Sequence, residues 1–173
     1  SKTSCFNGTL FRKNLSRYWP LWGLSSFGGA MFPLAMLLEL LHDGNSVALV
    51  SDAGMPCISD PGVYLVQRCY EQGIPVESVP CCNAAIAAVA ISGIDTARFA
   101  FEGFLPVDKK ERRQRLEEAS ALPHTLIYYE APHKLRQTLA DLSAACGESR
   151  SAALCRELTK LHEEVIRLSL IHI

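Results

Sequence analysis

From Pro33 onward the chain keeps switching its hydrophobic period, from helical spacing to short apolar runs and back, and this alternation constrains the fold more than any single motif. Pro33 to His42 reads as a helix closed by Gly44, and Ser46 to Val50, "SVALV", as a buried strand bounded by turn residues. Gly62 to Gln72 sets Val63, Val66, Cys69 and Tyr70 on one helical face with Gly73 as the left-handed stop. Pro75 to Val79 is extended. Ala84 to Ser92, "AAIAAVAIS", is apolar all round, which predicts a buried helix ended by Gly93.

The alternation then restarts with a strand at Arg98 to Glu102, a charged helix at Asp108 to Ala121 and a strand at Thr125 to Tyr129. Leu135, Leu139, Leu142 and Cys146 define a helix from Pro132 to Cys146, stopped by Gly147, and strands at Ser151 to Cys155 and Glu164 to Leu168 follow. Helices alternating with strands predict an α/β fold, with largely parallel pairing at least in the first half. The lobe boundary falls near Asp95, giving lobes 1–95 and 96–173. Residues 1 to 32 carry neither period and yield no element.

Composition narrows the partners. The 173 residues are 49% hydrophobic, enough for one good core or two small lobes. With 17 Lys and Arg against 18 Asp and Glu, a polyanion would have to meet a local basic patch. The seven cysteines include no C-x-x-C pair and no His at zinc-finger spacing, so neither a metal site nor a disulfide framework is indicated, and reduced thiols point to the cytoplasm. The uncharged tract Pro20 to Leu38 resembles a signal peptide or weak membrane span, but its glycines and Pro33, and its direct run into a helix and strand, favour a chain with no membrane segment.

In open α/β sheets ligands sit beyond the carboxyl ends of the strands. There, "VSDAGMPCISDPGVY" follows the first buried strand. Asp60 before Pro61 reads as the N-cap and first residue of the next helix. Ser51, Asp52, Ala53 and Gly54 are small or polar; they would either let a ligand approach the backbone, with Asp52 accepting from a hydroxyl or amino group, or form an Asx turn. A second tip, "PCCNAAIAA", places Asn83 where it could cap a helix whose first turn is only alanine. Tyr129 and Glu130 end a third strand, and Arg156 to Lys160, "RELTK", follow a fourth. Polar residues at four strand ends point to a ligand crevice.

The run "KKERRQR", Lys109 to Arg115, is either a solvated helix with Glu111–Arg115 and Arg113–Glu117 pairs or a patch that tracks phosphates. His133 and His162 read as surface or capping groups.

Taken together, "ALVSDAGMPCISDPG", "FAFEGFLPVDKKERR", "TLIYYEAPHKL" and "LCRELTKLHEEVIR" resemble the 16S ribosomal RNA 2'-O-methyltransferase I family of the tetrapyrrole-methylase superfamily, over about Leu37 to Arg167. The resemblance implies a class III methyltransferase: two α/β lobes, a homodimer, S-adenosyl-L-methionine bound in the cleft between the lobes, and methylation of a cytidine ribose 2'-hydroxyl in the 16S rRNA of the small ribosomal subunit. It carries cofactor contacts onto Ser51, Asp52, Gly54 and Met55, onto Asn83 and Ala84, and onto Tyr129. The cations Lys109, Lys110, Arg112, Arg113, Arg115 and Arg156 would face RNA, and Glu130, Glu157 and Lys160 are candidates for the catalytic base.

This chain departs from the family pattern in places. Met55 stands for Thr, Cys81 stands for Gly in a "PG" turn, the N-terminal strand with its "TPIGNL"-like loop is missing, and "LSLIHI" replaces the expected "GTL" turn. The N-terminal lobe is therefore expected to be incomplete, as in a fragment. Two other functions share many of these features: a methyltransferase acting on a tetrapyrrole, which has no use for the basic run, and a non-catalytic RNA-binding module.

Overall fold

The computed structural model describes residues 8–11, 23–24, 34–51 and 54–170, and the elements run β1 (Gly8–Phe11), β2 (Gly23–Leu24), α1 (Leu34–His42), β3 (Val47–Val50), α2 (Val63–Glu71), β4 (Val76–Val79), α3 (Ala84–Ser92), β5 (Phe99–Phe104), α4 (Lys109–Ser120), β6 (Thr125–Tyr129), α5 (Leu135–Cys146), β7 (Ser151–Arg156) and β8 (Glu164–Ser169). Two compact units divide the chain, Ser1–Asn83 and Ala84–Ile173, so α3 groups with the second unit, whereas the sequence reading set the boundary near Asp95.

In the first unit the sheet order is β2-β3-β1-β4. The expectation of largely parallel pairing is corrected here. Only β2–β3 is parallel; β1 runs antiparallel to both β3 (Gly8↔Val50) and β4 (Gly8↔Val79). β3 and β4, joined through α2, point the same way, and β1 fills the place between them, satisfying the backbone groups of both inner edges. α1 and α2 supply Leu38, Leu41, Leu65 and Cys69 to a core completed by Val47 and Ile74, with Leu41 and Cys69 fully buried.

Asp60 is not the N-cap of α2, as its place before Pro61 suggested. That position belongs to Gly62, at φ 129°, whose carbonyl accepts from the Val66 amide at 3.0 Å. A Cβ there would strike the Leu49 side chain and lie 2.8 Å from Cys57 Sγ, so both the backbone conformation and the packing demand glycine.

The second unit joins β5 and β6 as a parallel pair and β7 and β8 as an antiparallel hairpin. β5 runs past its expected end at Glu102 because the register shifts there: Phe101 pairs with Ile127 and Gly103 with Tyr128, so Glu102 is the extra residue and the pairing continues through Phe104. α4 begins with Asp108 as its N-cap: the side chain accepts from the amides of Lys110 and Glu111, each at 3.0 Å. Ala85 and Val89 of α3 pack with Ile127 of β6, and Phe101 and Tyr129 close over them. At the other end of α3, Arg167 of β8 donates Nε to the Ser92 carbonyl at 2.8 Å and a second nitrogen to the Ile91 carbonyl, so a cation caps the helix C-terminus.

Among the described residues no helix is long and apolar enough to cross a membrane. The tract from Pro20 lies outside the described residues up to Pro33, apart from β2, and from Leu34 onward it forms α1.

Candidate methyltransferase site

In the first unit the turn after β3 closes on itself. Ser51 Oγ donates to the Gly54 carbonyl at 3.0 Å, and Gly54 is left-handed at φ 79°. The segment after β4 comes up against this turn: Cys81 Sγ lies 3.7 Å from the Gly54 carbonyl and 3.4 Å from Met55 Sδ. The two departures from the family pattern, Met55 and Cys81, therefore touch each other and form one sulfur-lined surface. The structure brings Ser51, Gly54, Met55 and the approach to Asn83 together; Asp52 and Ala53 lie outside the described residues. Cys57, later in the turn, is left-handed too, and its thiol pKa is raised by burial and secondarily by Asp60.

In the second unit the Ala85 amide, in the first turn of α3, donates to the Tyr129 hydroxyl at 3.1 Å. Phe101 and Phe104 hold the Tyr129 ring edge-on, with centroids 4.8 and 5.7 Å away. Because its oxygen accepts from Ala85, the phenol keeps its proton to donate elsewhere. Ala84, exposed at the same turn, leaves the backbone open to approach. Tyr129 and the α3 start, read separately from sequence, thus meet in space.

Glu130, one residue on, has both oxygens engaged: Oε1 accepts from the Ala131 amide at 2.8 Å and Oε2 from the Thr138 hydroxyl at 2.6 Å. Thr138 in turn accepts from Arg112 Nη2 at 2.9 Å, and Arg112 donates Nε to Asp141 at 2.7 Å. Arg112 therefore leaves the row of outward cations. Its side chain is 18% exposed against 83% for Arg113, four residues before its partner Glu117. Arg115 pairs with Glu102 of β5 at 3.5 Å rather than with Glu111. Lys109 and Lys110 are exposed.

The β7–β8 hairpin carries the remaining candidates. Arg156 pairs with Glu164, and Lys160 Nζ lies 3.3 Å from Glu157, all with substantial exposure. His133 and His162 are exposed, as expected. Among the described residues no group of three His, Cys, Asp or Glu could hold a metal ion.

The sequence reading missed two residues that shape this region, Thr138 and Arg167. Thr138 falls three residues after Leu135 and four before Leu142, on the buried face of α5, so its spacing carried a signal that its polar side chain masked.

Residues 34–173 match the tetrapyrrole (corrin/porphyrin) methylase family. The chain belongs to that family. It is 50% identical over 131 residues to "Ribosomal RNA small subunit methyltransferase I" of Halalkalibacterium halodurans, covering 76% of this chain and 45% of that protein. The protein of the same name from Escherichia coli O157:H7 is 49% identical over 129 residues, covering 75% and 45%. The chain thus spans about half the length of these curated relatives. The crystal structure of the methyltransferase CobJ superposes with a TM-score of 0.62 at 19% identity, over 81% of this chain and 63% of that one, which establishes the shared fold.

Proposed function

We propose that this chain is part of an S-adenosyl-L-methionine-dependent methyltransferase that modifies the ribose 2'-hydroxyl of a cytidine in 16S ribosomal RNA, acting in the cytoplasm on the small ribosomal subunit as a homodimer. The identity of about one residue in two to proteins named for small-subunit rRNA methylation carries this reading.

The residues present suit a nucleoside sulfonium. The first unit offers a narrow turn with a left-handed Gly54, where an added Cβ would meet nothing nearer than the Cys82 carbonyl at 3.8 Å, and the second offers a phenol with a proton to give beside a helix that starts with two alanines. Ser51, Asp52, Gly54, Met55, Asn83, Ala84 and Tyr129 would hold the cofactor, with Tyr129 donating a hydrogen bond and the slim backbone of Gly54 and Ala84 allowing close approach. When bound, S-adenosyl-L-methionine supplies an electrophilic methyl group.

The protein's share of the chemistry is then orientation of the ribose oxygen, exclusion of water and acceptance of the hydroxyl proton. Glu157, exposed on its loop, is the candidate to accept the proton, with the Lys160 ammonium 3.3 Å away holding its carboxylate; Glu130, with both oxygens engaged, is better suited to positioning. Lys109, Lys110, Arg113, Arg115 and Arg156 would meet phosphates, fixing the RNA without reading its sequence.

Labelled methyl donor and 30S subunits lacking this modification test the reading. Label recovered in a ribose of 16S RNA supports it. Label only in a tetrapyrrole precursor, or RNA retained without label, replaces it with one of the two alternatives.

A further inference from the structure

We propose that Arg112, Thr138 and Asp141 are positioning residues: they lock the Glu130 carboxylate and thereby fix the turn that presents the Tyr129 hydroxyl at the first turn of α3. The proposal rests on the reading that Tyr129 borders the cofactor.

The direction of the hydrogen-bond chain is set by counting protons. The single Thr138 hydroxyl proton goes to Glu130 Oε2, so its oxygen must accept, and Arg112 Nη2 donates to it. Thr138 is 3% exposed, so neither bond can be exchanged for water without leaving a buried polar atom unpaired. Asp141 takes Nε of the same guanidinium with one oxygen and the Gln137 amide with the other, at 2.8 Å. Nη1 reaches the Pro106 carbonyl at 3.5 Å. One planar fork therefore joins the β5–α4 connection, α4 and α5, and through Thr138 the turn after β6. A lysine in its place would keep the charge and lose the fork.

This arrangement divides the basic run by role. Arg112 faces inward and serves the turn, while Lys109, Lys110 and Arg113 remain outward for a polyanion.

The test uses the full chain, with S-adenosylhomocysteine affinity measured by calorimetry and the salt dependence of binding to a 16S ribosomal RNA transcript measured alongside. Arg112→Lys and Thr138→Val are expected to weaken S-adenosylhomocysteine about tenfold, Thr138→Ser to restore wild-type affinity, and Leu139→Ala, which lowers stability on the same helix, to leave affinity unchanged. The slope of log affinity against log salt should be unchanged in Arg112→Gln and fall by about one in Arg113→Gln. Unaltered S-adenosylhomocysteine affinity in Arg112→Lys and Thr138→Val, or a slope lowered by Arg112→Gln, overturns the proposal. If Arg112 variants do not fold, the Thr138→Val and Thr138→Ser pair decides it alone. A wild-type chain that binds no S-adenosylhomocysteine instead removes the cofactor reading itself, and the positioning proposal with it.

Discussion

The Tyr129 hydroxyl accepts the Ala85 amide at 3.1 Å, so the last residue of β6 caps the first turn of α3. Few side chains can do this from a strand end, because the cap needs an oxygen carried several ångströms out on a rigid stem. Ala85 is 3% exposed, and the amide has no easy route to water if the phenol is removed. Tyr129→Phe keeps the ring and its edge-on contacts but strands that donor. A loss of about 1–2 kcal/mol in urea unfolding is expected, together with weaker S-adenosylhomocysteine binding in calorimetry. Unchanged stability would mean that the amide finds another acceptor.

Gly62 is the least replaceable residue of the first unit's loop. At φ 129° a side chain is strained, and the space is already taken by Leu49 and Cys57. Gly62→Ala should cost about 1–3 kcal/mol, from backbone strain and overpacking together. Thermal melting checks it, and a melting temperature within a degree or so of wild type would show that α2 can start elsewhere.

The fold was legible in the sequence wherever a period and a stop coincided. α3, α4, β6 and the β7–β8 pair lie within a residue or two of their expected ends because Gly93, Asp108, Gly147 and the apolar runs each act locally. What could not be read were features decided at a distance. β1 has no period of its own, and its place between β3 and β4 comes from the edges those strands offer. Asp60 looked like a cap because Pro61 follows it, yet Gly62, one residue on, has the backbone freedom that starts α2. Arg112 and Arg113 are neighbours of the same type, and only the packing of α5 turns one inward. The candidate site was legible as separate tips, whereas the Tyr129–Ala85 bond and the Cys81–Met55 contact join residues far apart in sequence.

The thiols should separate cleanly by reactivity. Burial raises the pKa of Cys69, which is fully buried, and of Cys57 and Cys155, so less thiolate is present at a given pH. Cys82 is exposed. Timed alkylation at mildly alkaline pH, read by peptide mass spectrometry, should, among the cysteines of the described residues, label Cys82 first and Cys69 last. Early labelling of Cys69 would show that the core formed by α1 and α2 opens on the timescale of the reaction.

Tyr128 gives a pH signature for the second unit. Its pKa is pushed up to about 12, first by burial and then by the Glu102 carboxylate and Cys146, against smaller opposing effects of Arg115 and Arg150. Its hydroxyl has no hydrogen-bond partner among the described residues, so no donor stabilises the phenolate. The folded state therefore holds the proton more tightly than the unfolded state. Stability is untouched below the ordinary tyrosine pKa of 10.0 and is lost as pH rises from there through about 12. Absorbance titration should show a late tyrosine step at a pH of about 12. Glu102→Gln should bring that late step down, since it removes a neighbouring negative charge and frees Arg115 to favour the phenolate. A single transition near 10.0 for all the tyrosines, in a chain still folded at that pH, would place the Tyr128 hydroxyl in water and undo the description of the β5–β6 face.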